Sequence, residues 1–395
     1  MKKILLIFTI FLSSGFLKLF SQTESATGIY LITCAPGTAT YSIYGHSALR
    51  IIDTDKATDL VYNWGVFDFS TSNFAWKFAK GRLDYMLGVY PYDRFIQEYF
   101  LEQRAVYQQK INLEPDEIEQ LYALLADNLK PENRKYRYDF FYDDCSTRIR
   151  DLLEKSVGSS FAYSPDATKK LPTFREKVGE FQRPYPWLKF GIDLIMGTPG
   201  DKKASSRDRM FLPVDLMEVL SDASIIRNGK LVPLLQNPVT LLDFDPPAPK
   251  NSFFTSPLFA FSLLLIILII FFNVGKNMTA IRIVDIVLFS AFSVLALLMI
   301  FFNFFTDHQQ MKWNLNIIWL NPFIFFCLAS IALNKDWQVW FRIVLALSII
   351  FFILLMVLPH AFNSAFMPLV LILILRSSSR AGFSWNPLTV KLVNG

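Results

Sequence analysis

The feature that most constrains the fold is a series of long apolar runs after residue 255. Five runs lie near residues 256–274, 281–305, 314–333, 339–358 and 363–375, and the last is the shortest. A helix needs about 20 apolar residues to cross the hydrocarbon core of a bilayer. Within lipid, only helices and closed barrels satisfy their backbone hydrogen bonds, and runs this long are typical of helices. The sequence therefore predicts a membrane domain of about five transmembrane helices over residues 256–376.

The N-terminus predicts that the segment before these helices is exported. In residues 1–21, two lysines precede a short apolar stretch that is broken by small residues and by Lys18. This pattern is typical of a cleaved secretory signal peptide, and a retained anchor helix is the alternative. Residues 22–245 would then form an exported domain. A proline-rich linker over 246–255 would join it to the membrane helices, and 377–395 would form a cytoplasmic tail.

The distribution of basic residues indicates the same orientation. After signal cleavage, the connections following the first and third spans and the C-terminal tail would face the cytoplasm. They contain Lys276, Arg282, Lys335, Arg342, Arg376, Arg380 and Lys391. The two opposite connections contain one Lys or Arg, Lys312, so the bias follows the positive-inside rule. His308 and His360 would therefore lie on the same side as the exported domain.

The composition gives no indication of a nucleic-acid, metal or cofactor partner. The formal net charge is +5, and no run of Lys and Arg is dense enough for a nucleic-acid-binding surface. The three cysteines and three histidines do not have the spacing of a zinc site. Cys327 lies inside an apolar run and is interpreted as a packing residue, and His360 as a loop residue. The chain also lacks a glycine-rich phosphate-binding loop.

The exported segment has the pattern of an α+β domain. Stretches rich in β-branched and aromatic residues predict strands at residues 28–36, 46–53, 59–67 and 103–113. Residues 115–130 begin with a proline and have apolar positions at helical spacing, which predicts a helix. A second helix is predicted to begin at Cys145.

Cys145 and His46 are the candidate catalytic pair. Cys145 begins a predicted helix, where backbone N–H groups and the helix dipole are expected to lower the thiol pKa and to bind an oxyanion. His46 begins a predicted strand and would accept the thiol proton. Asn63, on the next strand, would orient the imidazole if the two strands pair, and Asp68 is the alternative.

Two non-catalytic interpretations of Cys145 stay open on these residues alone. A single cysteine is often a small buried apolar residue. The exported compartment is also oxidising, so a disulfide between Cys34 and Cys145 is possible. In that case the exported domain would be a binding or scaffold module.

Other residues are candidates for contact with a substrate. Tyr44 and Gly45 precede the candidate histidine, and a glycine admits close approach. Arg148 lies one turn after the candidate cysteine and would meet a phosphate, with an ion pair to a neighbouring acid as the alternative. Asp307 and His308 follow the second span and would bind a headgroup or assist proton transfer, with an interfacial polar cap as the alternative.

An apolar segment in the exported part is open to two interpretations. Residues 187–196 combine several large apolar side chains with Lys189. Such a segment can lie in the membrane interface and guide acyl chains, or it can form a buried connection within the domain.

Several separated motifs together resemble one protein family. They are "LITCAPGTATYSIYGHSALRI", "YNWGVFDF", "YDDCSTRIRDLL", "WLKFGIDLIMG", "MFLP" and "TDHQQMKWNLNIIWLNP". In this order they are similar to the Lnb-type lipoprotein N-acyltransferases. The resemblance implies a permuted papain-like and NlpC-like thiol fold, related to lecithin:retinol acyltransferase, in which histidine precedes cysteine. Cys145 would match the nucleophile and His46 the base, with Asn63 as the candidate third member.

The resemblance also implies a reaction and a location. An acyl chain would move from a phospholipid, through a thioester, to the α-amino group of a diacylated lipoprotein. The site would face the periplasm from the bacterial inner membrane. Two thiol-dependent alternatives are a membrane-tethered peptidase or amidase of peptidoglycan and a phospholipase. The non-enzymatic scaffold is the third alternative.

Overall fold

The computed structural model describes residues 27–165, 171–246, 252–358 and 361–383. The predicted signal peptide, His360 and most of the predicted tail lie outside these ranges. The N-terminal part combines strands and helices, and the C-terminal part is helical. The expected α+β class followed by a helical membrane-like region is confirmed.

The strands form two antiparallel sheets. Those of the described residues are β1 (Thr27–Cys34), β2 (His46–Asp53), β3 (Thr58–Val66), β4 (Asp84–Pro91), β5 (Val106–Lys110), β6 (Lys135–Arg137), β7 (Phe161–Ala162), β8 (Ser224–Arg227), β9 (Lys230–Pro233) and β10 (Val239–Leu242). The large sheet has the order β10-β5-β1-β2-β3-β4-β6, and the small one is β7-β8-β9. The four predicted strands correspond to β1, β2, β3 and β5 and are confirmed.

Nine helices are described in the N-terminal part, between residues 27 and 246. They are α1 (Phe74–Ala79), α2 (Tyr92–Leu101), α3 (Pro115–Leu129), α4 (Pro131–Arg134), α5 (Cys145–Val157), α6 (Phe174–Gln182), α7 (Pro186–Ile195), α8 (Ser206–Arg209) and α9 (Pro213–Asp222). The predicted helix over 115–130 and the predicted start of a helix at Cys145 are both confirmed, as α3 and α5.

The large sheet has an apolar core on each face because side chains alternate along its strands. Leu31 and Leu49 pack with Ile149 of α5 on one face. Ile32 and Ala48, their sequence neighbours, pack toward α2 on the other face. The sheet thus separates the helix that begins with the candidate cysteine from α2.

The C-terminal part has four segments long and apolar enough to cross a membrane within the described residues. They include α10 (Pro257–Val274), α11 (Met278–Phe304), α12 (Phe323–Ala332) with the short 3₁₀ turn Leu315–Ile318 before it, and α13 (Gln338–Val357). The fifth predicted span is α14 (Phe366–Arg380), of 15 residues. Its length of about 22 Å is shorter than the ~30 Å hydrocarbon core, so four of the five predicted spans meet the length criterion.

A buried ion cluster joins α14 to α11. Asp285 of α11 is fully buried, and both of its carboxylate oxygens accept from Arg376, at 2.7 and 2.9 Å. Arg380 donates to the same carboxylate at 2.8 Å. The Arg376 guanidinium also lies 3.6 Å from the ring centroid of Phe272 in α10. The cluster therefore fixes α14 against two of the longer helices.

The connection between α11 and α12 contacts the N-terminal part directly. Asn314 and Asn316 donate side-chain hydrogen bonds to the Leu194 carbonyl of α7, at 2.7 and 3.0 Å. The Gly197 amide donates to the Gln310 carbonyl at 2.8 Å. A Cβ at Gly197 would lie 1.8 Å from the Lys312 carbonyl oxygen, so this approach requires glycine. We call these contacts the seam.

Replacing Asp285 with Ala should lower the free energy of unfolding by about 3–5 kcal/mol, because the buried Arg376 and the partly buried Arg380 lose their counter-ion. Thermal unfolding of the purified full chain in detergent measures this. Asp336→Ala is the matched control, since Asp336 is exposed and its one described partner is Gln338. Equal unfolding midpoints for the two variants would contradict the role assigned to the cluster.

Replacing Gly197 with Ala should open the seam, because the new methyl group meets a backbone oxygen that cannot move without the whole connection. Overpacking of this kind costs about 1–3 kcal/mol. We expect faster release of the N-terminal part in limited proteolysis. Gly191→Ala in α7 is the control, since its added methyl group would have no atom within 4 Å, and it should be cleaved at the rate of the unmutated chain.

Candidate active site

The start of α5 is fixed by a buried aspartate. Asp144 is 1% exposed, and its Oδ1 accepts from the backbone N–H groups of Ser146 and Thr147 at 3.0 and 2.8 Å. The Thr147 hydroxyl in turn accepts from the Asp144 amide at 2.7 Å. This reciprocal cap places Cys145 at the first position of the helix.

The Cys145 thiol is buried and faces backbone amides. Cys145 is 8% exposed, and its sulfur lies 3.8 Å from the Ser146 hydroxyl oxygen. Burial raises the thiol pKa above its usual value, while N–H groups of Ser47, Ser146 and Cys145 itself act in the opposite direction. The N–H groups at the helix start thus lower this pKa, as expected from the sequence, but desolvation of the thiolate is the larger effect and the net shift is upward.

His46 and Asn63 form a hydrogen-bonded pair across β2 and β3. The His46 Nε2 and Asn63 Oδ1 atoms are 2.6 Å apart. A carbonyl oxygen at this distance requires the proton on Nε2, which leaves the lone pair of the neutral imidazole on Nδ1. Burial lowers the His46 pKa, and the bond to Asn63 partly offsets this. The alternative partner, Asp68, is exposed and instead accepts from Ser70.

The two halves of the candidate pair meet through adjacent residues. The Ser146 hydroxyl donates to the Ser47 hydroxyl at 3.2 Å, so residues next to Cys145 and His46 are in contact. Among the described residues, however, no hydrogen bond joins the thiol to the imidazole. The resting site thus contains a neutral thiol and a neutral histidine with the tautomer of a base, joined through the contact of Ser146 with Ser47.

Gly45 lets the chain turn into β2 at His46. Its φ is +84°, and a Cβ here would lie 2.8 Å from the Cys34 carbonyl oxygen. The close approach predicted at this glycine is therefore made by the chain itself. The neighbouring Tyr44 accepts a hydrogen bond from Gln182 at 2.7 Å and packs on Phe140.

Comparison with protein-family models decides the relationship of the chain. A model described as the Lnb N-terminal periplasmic domain matches residues 18–175, and one described as the Lnb transmembrane domain matches residues 249–384. The chain belongs to the Lnb family. Searches of curated proteins and of solved structures gave no match. This Lnb protein is therefore a membrane protein with a periplasmic N-terminal domain.

The cysteines of the Lnb protein are free thiols. Cys34 packs with Tyr99 on the α2 face of the sheet, whereas Cys145 belongs to the apolar cluster on the α5 face. Cys34 is fully buried, and this burial raises its pKa above the usual value. The disulfide considered from the sequence is absent between these two described residues, and with it the feature on which the scaffold interpretation depended.

The remaining candidate residues have structural partners. Arg148 makes a bidentate ion pair with Asp143, at 2.6 and 2.8 Å, and stacks on Tyr136 at 3.7 Å. The alternative of an ion pair with a neighbouring acid is thus the one that the structure shows. A role in substrate binding for Arg148 stays a prediction.

His308 binds the last turn of α1, and Asp307 binds the segment that follows it. Asp307 pairs with Arg82 at 2.7 Å, and the His308 Nε2 donates to the Phe78 carbonyl at 3.1 Å. These contacts add to the seam. Their described partners do not include Cys145 or His46, and a role in the chemistry stays a prediction.

Sequence reasoning missed three groups that shape the site. Asp144 was visible as an N-cap directly before an apolar helix, with Thr147 three residues later. Ser47, whose amide faces the thiol, could be found only from strand pairing. Tyr138 packs against the cluster that contains Cys145, and this contact depends on the tertiary fold.

Alkylation by iodoacetamide tests the protonation state of Cys145. Because burial raises the thiol pKa, the rate at pH 7 should be well below that of a free cysteine and should rise only above the pH range in which an ordinary thiol ionises. His46→Ala should change this rate little. Mass spectrometry of the labelled peptide, with Cys145→Ala as the blank, measures it. A plateau already reached below pH 7 and lost in His46→Ala would show an ion pair instead.

Proposed function

We propose that this Lnb protein is a lipoprotein N-acyltransferase that uses Cys145 as nucleophile and His46 as base. The observation that carries the proposal is the His46–Asn63 pair, whose strand contacts the helix that begins at Cys145 through Ser47 and Ser146. Nucleophile, base and orienting amide are the parts that covalent acyl transfer needs. The family membership supports the same reaction class.

The first half-reaction forms a thioester. His46 Nδ1 takes the thiol proton while the sulfur attacks the ester carbonyl of a phospholipid. Collapse of the tetrahedral intermediate breaks the ester C–O bond, and the proton passes from His46 to the leaving lysophospholipid alcohol. Asp144 occupies the Ser146 and Thr147 amides, so the Cys145 and Ser47 N–H groups are the donors available to the oxyanion.

The second half-reaction transfers the acyl chain to an amine. The neutral α-amino group of a diacylglyceryl-cysteine lipoprotein attacks the thioester carbonyl. The C–S bond breaks, an amide forms, and the amine proton returns through His46 to the sulfur. The cycle is ping-pong, it regenerates the thiol, and the ester supplies the activated acyl group.

The position of the site favours lipid substrates over peptidoglycan. The seam holds the N-terminal domain, which contains Cys145, against the ends of α11 and α12. The ester groups of membrane phospholipids lie at this depth. We place the protein in the inner membrane with this domain in the periplasm. A phospholipase would use the same first half-reaction with water as acceptor. A peptidase or amidase would instead require a polar groove for a peptide.

Mass spectrometry of lipoprotein N-termini tests the proposal in bacterial cells that lack their own N-acyltransferase. The unmutated chain should add a third acyl chain. Cys145→Ala should abolish it, His46→Ala should reduce it at least ~100-fold, and Asn63→Ala about 10- to 100-fold. Cys327→Ala is the control, since this cysteine packs in α12 away from the thiol domain.

The alternatives give distinct outcomes in the same cells. If lipoproteins remain diacylated in all strains while the protein is present in the membrane, the acyltransferase proposal is wrong. Free fatty acid released only by the unmutated chain would then indicate a phospholipase, and cleaved muropeptides a peptidase or amidase.

A further inference from the structure

An apolar cavity lies where the periplasmic domain meets the connection between α11 and α12. It encloses about 230 Å³, and its walls include Phe78, Leu83, Tyr138, Ile192 and Met311. It is thus built from both parts of the chain: α7 and the segments around β4 and β6 form most of it, and residues 308–311 close it.

Three polar side chains of the cavity wall are hydrogen-bonded to groups of the protein. Tyr44 accepts from Gln182, His308 donates to a backbone carbonyl, and Gln310 donates to Asp139. The rest of the cavity wall is mainly aromatic and aliphatic surface. An apolar chain is the ligand class that such a lining favours.

The cavity begins next to the thiol site. Tyr138 lines the cavity and packs against the apolar cluster that includes Cys145. Tyr85, a second wall residue, stacks on Tyr138 with ring centroids 4.7 Å apart. On the other side, Tyr44 lines the cavity two residues before His46. A chain bound here therefore borders the apolar cluster to which Cys145 belongs.

An exposed aromatic segment, residues 67–80, lies between the cavity and the membrane helices. It contains the short helix α1, and we call it the aromatic loop. Phe69, Trp76 and Phe78 are 73%, 56% and 54% exposed, although they are large apolar side chains. Trp76 packs on Phe301 at the outer end of α11, with ring centroids 5.6 Å apart. The loop thus continues the lipid-facing surface of α11, and Phe78 belongs to both the loop and the cavity wall.

We propose that this cavity binds one acyl chain of the phospholipid donor, which enters from the outer leaflet past the aromatic loop. The proposal rests on the proposed function and adds the binding site of its donor. Aromatic side chains are suited to this position, because they are stable at the depth of the lipid headgroups.

The size of the cavity sets how much of the chain it holds. At roughly 30 Å³ for a group the size of a water molecule, it accommodates about seven or eight methylenes. The remainder of a long chain would extend along the aromatic loop into the lipid. Filling the cavity should therefore act against long chains more strongly than against short ones.

Photo-crosslinking tests the site without requiring transfer. The full-length protein is placed in phosphatidylcholine vesicles that contain a phosphatidylethanolamine with a diazirine in one acyl chain. After irradiation, we expect peptide adducts within 78–85, 192–196 or 308–311. Ile192→Trp should reduce these adducts at least tenfold. Ile226→Trp, at an exposed position of β8, is the matched control and should label like the unmutated chain.

The choice of donor chain is the second readout. With phosphatidylethanolamines of defined chain length and a diacyl lipopeptide acceptor, Ile192→Trp should shift the preference toward shorter chains. Ile192→Ala should shift it toward longer ones. Opposite shifts from one position cannot come from misfolding alone. Unchanged preference in both variants, with adducts outside the three segments, would overturn the proposal.

The two proposals fail separately. Adducts in the cavity without any transfer to lipoproteins would retain the lipid site and remove the acyltransferase function. Transfer by the unmutated chain, with adducts elsewhere and unchanged chain preference, would retain the function and remove the cavity as its donor site.

Discussion

The hydrogen bonds of the seam hold the thiol site at a fixed position relative to the membrane. Carbonyl and amide groups of α7 and Gly197 pair with Asn314, Asn316 and Gln310 of the α11–α12 connection. Such polar groups cost free energy when they are buried without a hydrogen-bond partner. In the seam, each part of the chain supplies partners for the polar groups of the other. The apolar cavity depends on this contact, because residues 308–311 form one of its walls.

Within the thiol domain, one buried carboxylate determines which amides remain for chemistry. Asp144 takes the Ser146 and Thr147 N–H groups, so α5 begins at Cys145 and not a residue later. On the sheet side, Gly45 turns the chain so that His46 starts β2 and can reach Asn63 on β3. Each partner of the site is positioned by a local feature, and the sheet brings them together.

Local patterns in the sequence were enough for much of the architecture and part of the site. Alternating and helical spacing identified β1, β2, β3, α3 and the start of α5, because these signals depend on near neighbours. The His46–Asn63 contact followed from treating two consecutive strands as a pair. The edge strand β10 was missed because it pairs with β5, more than a hundred residues away.

The effects that sequence reasoning could not supply are those of burial and long-range packing. Whether the helix terminus or desolvation decides the pKa of Cys145 depends on how deeply α5 packs on the sheet. The short length of α14 was visible, but its ion cluster with Asp285 needed the arrangement of three helices. The sequence also left two interpretations of residues 187–196 open, an interfacial segment and a buried connection. Their position depends on the contact of α7 with the α11–α12 connection, which is a tertiary contact.

The buried, neutral state of Cys145 affects how well the thiol resists oxidation in the periplasm. Oxidants and disulfide-forming catalysts attack thiolates that solvent can reach. A thiol that stays protonated and covered, with Cys34 on the opposite face of the sheet, offers no accessible anion and no partner sulfur. The protein can thus keep a reduced cysteine in an oxidising compartment without a dedicated reductant.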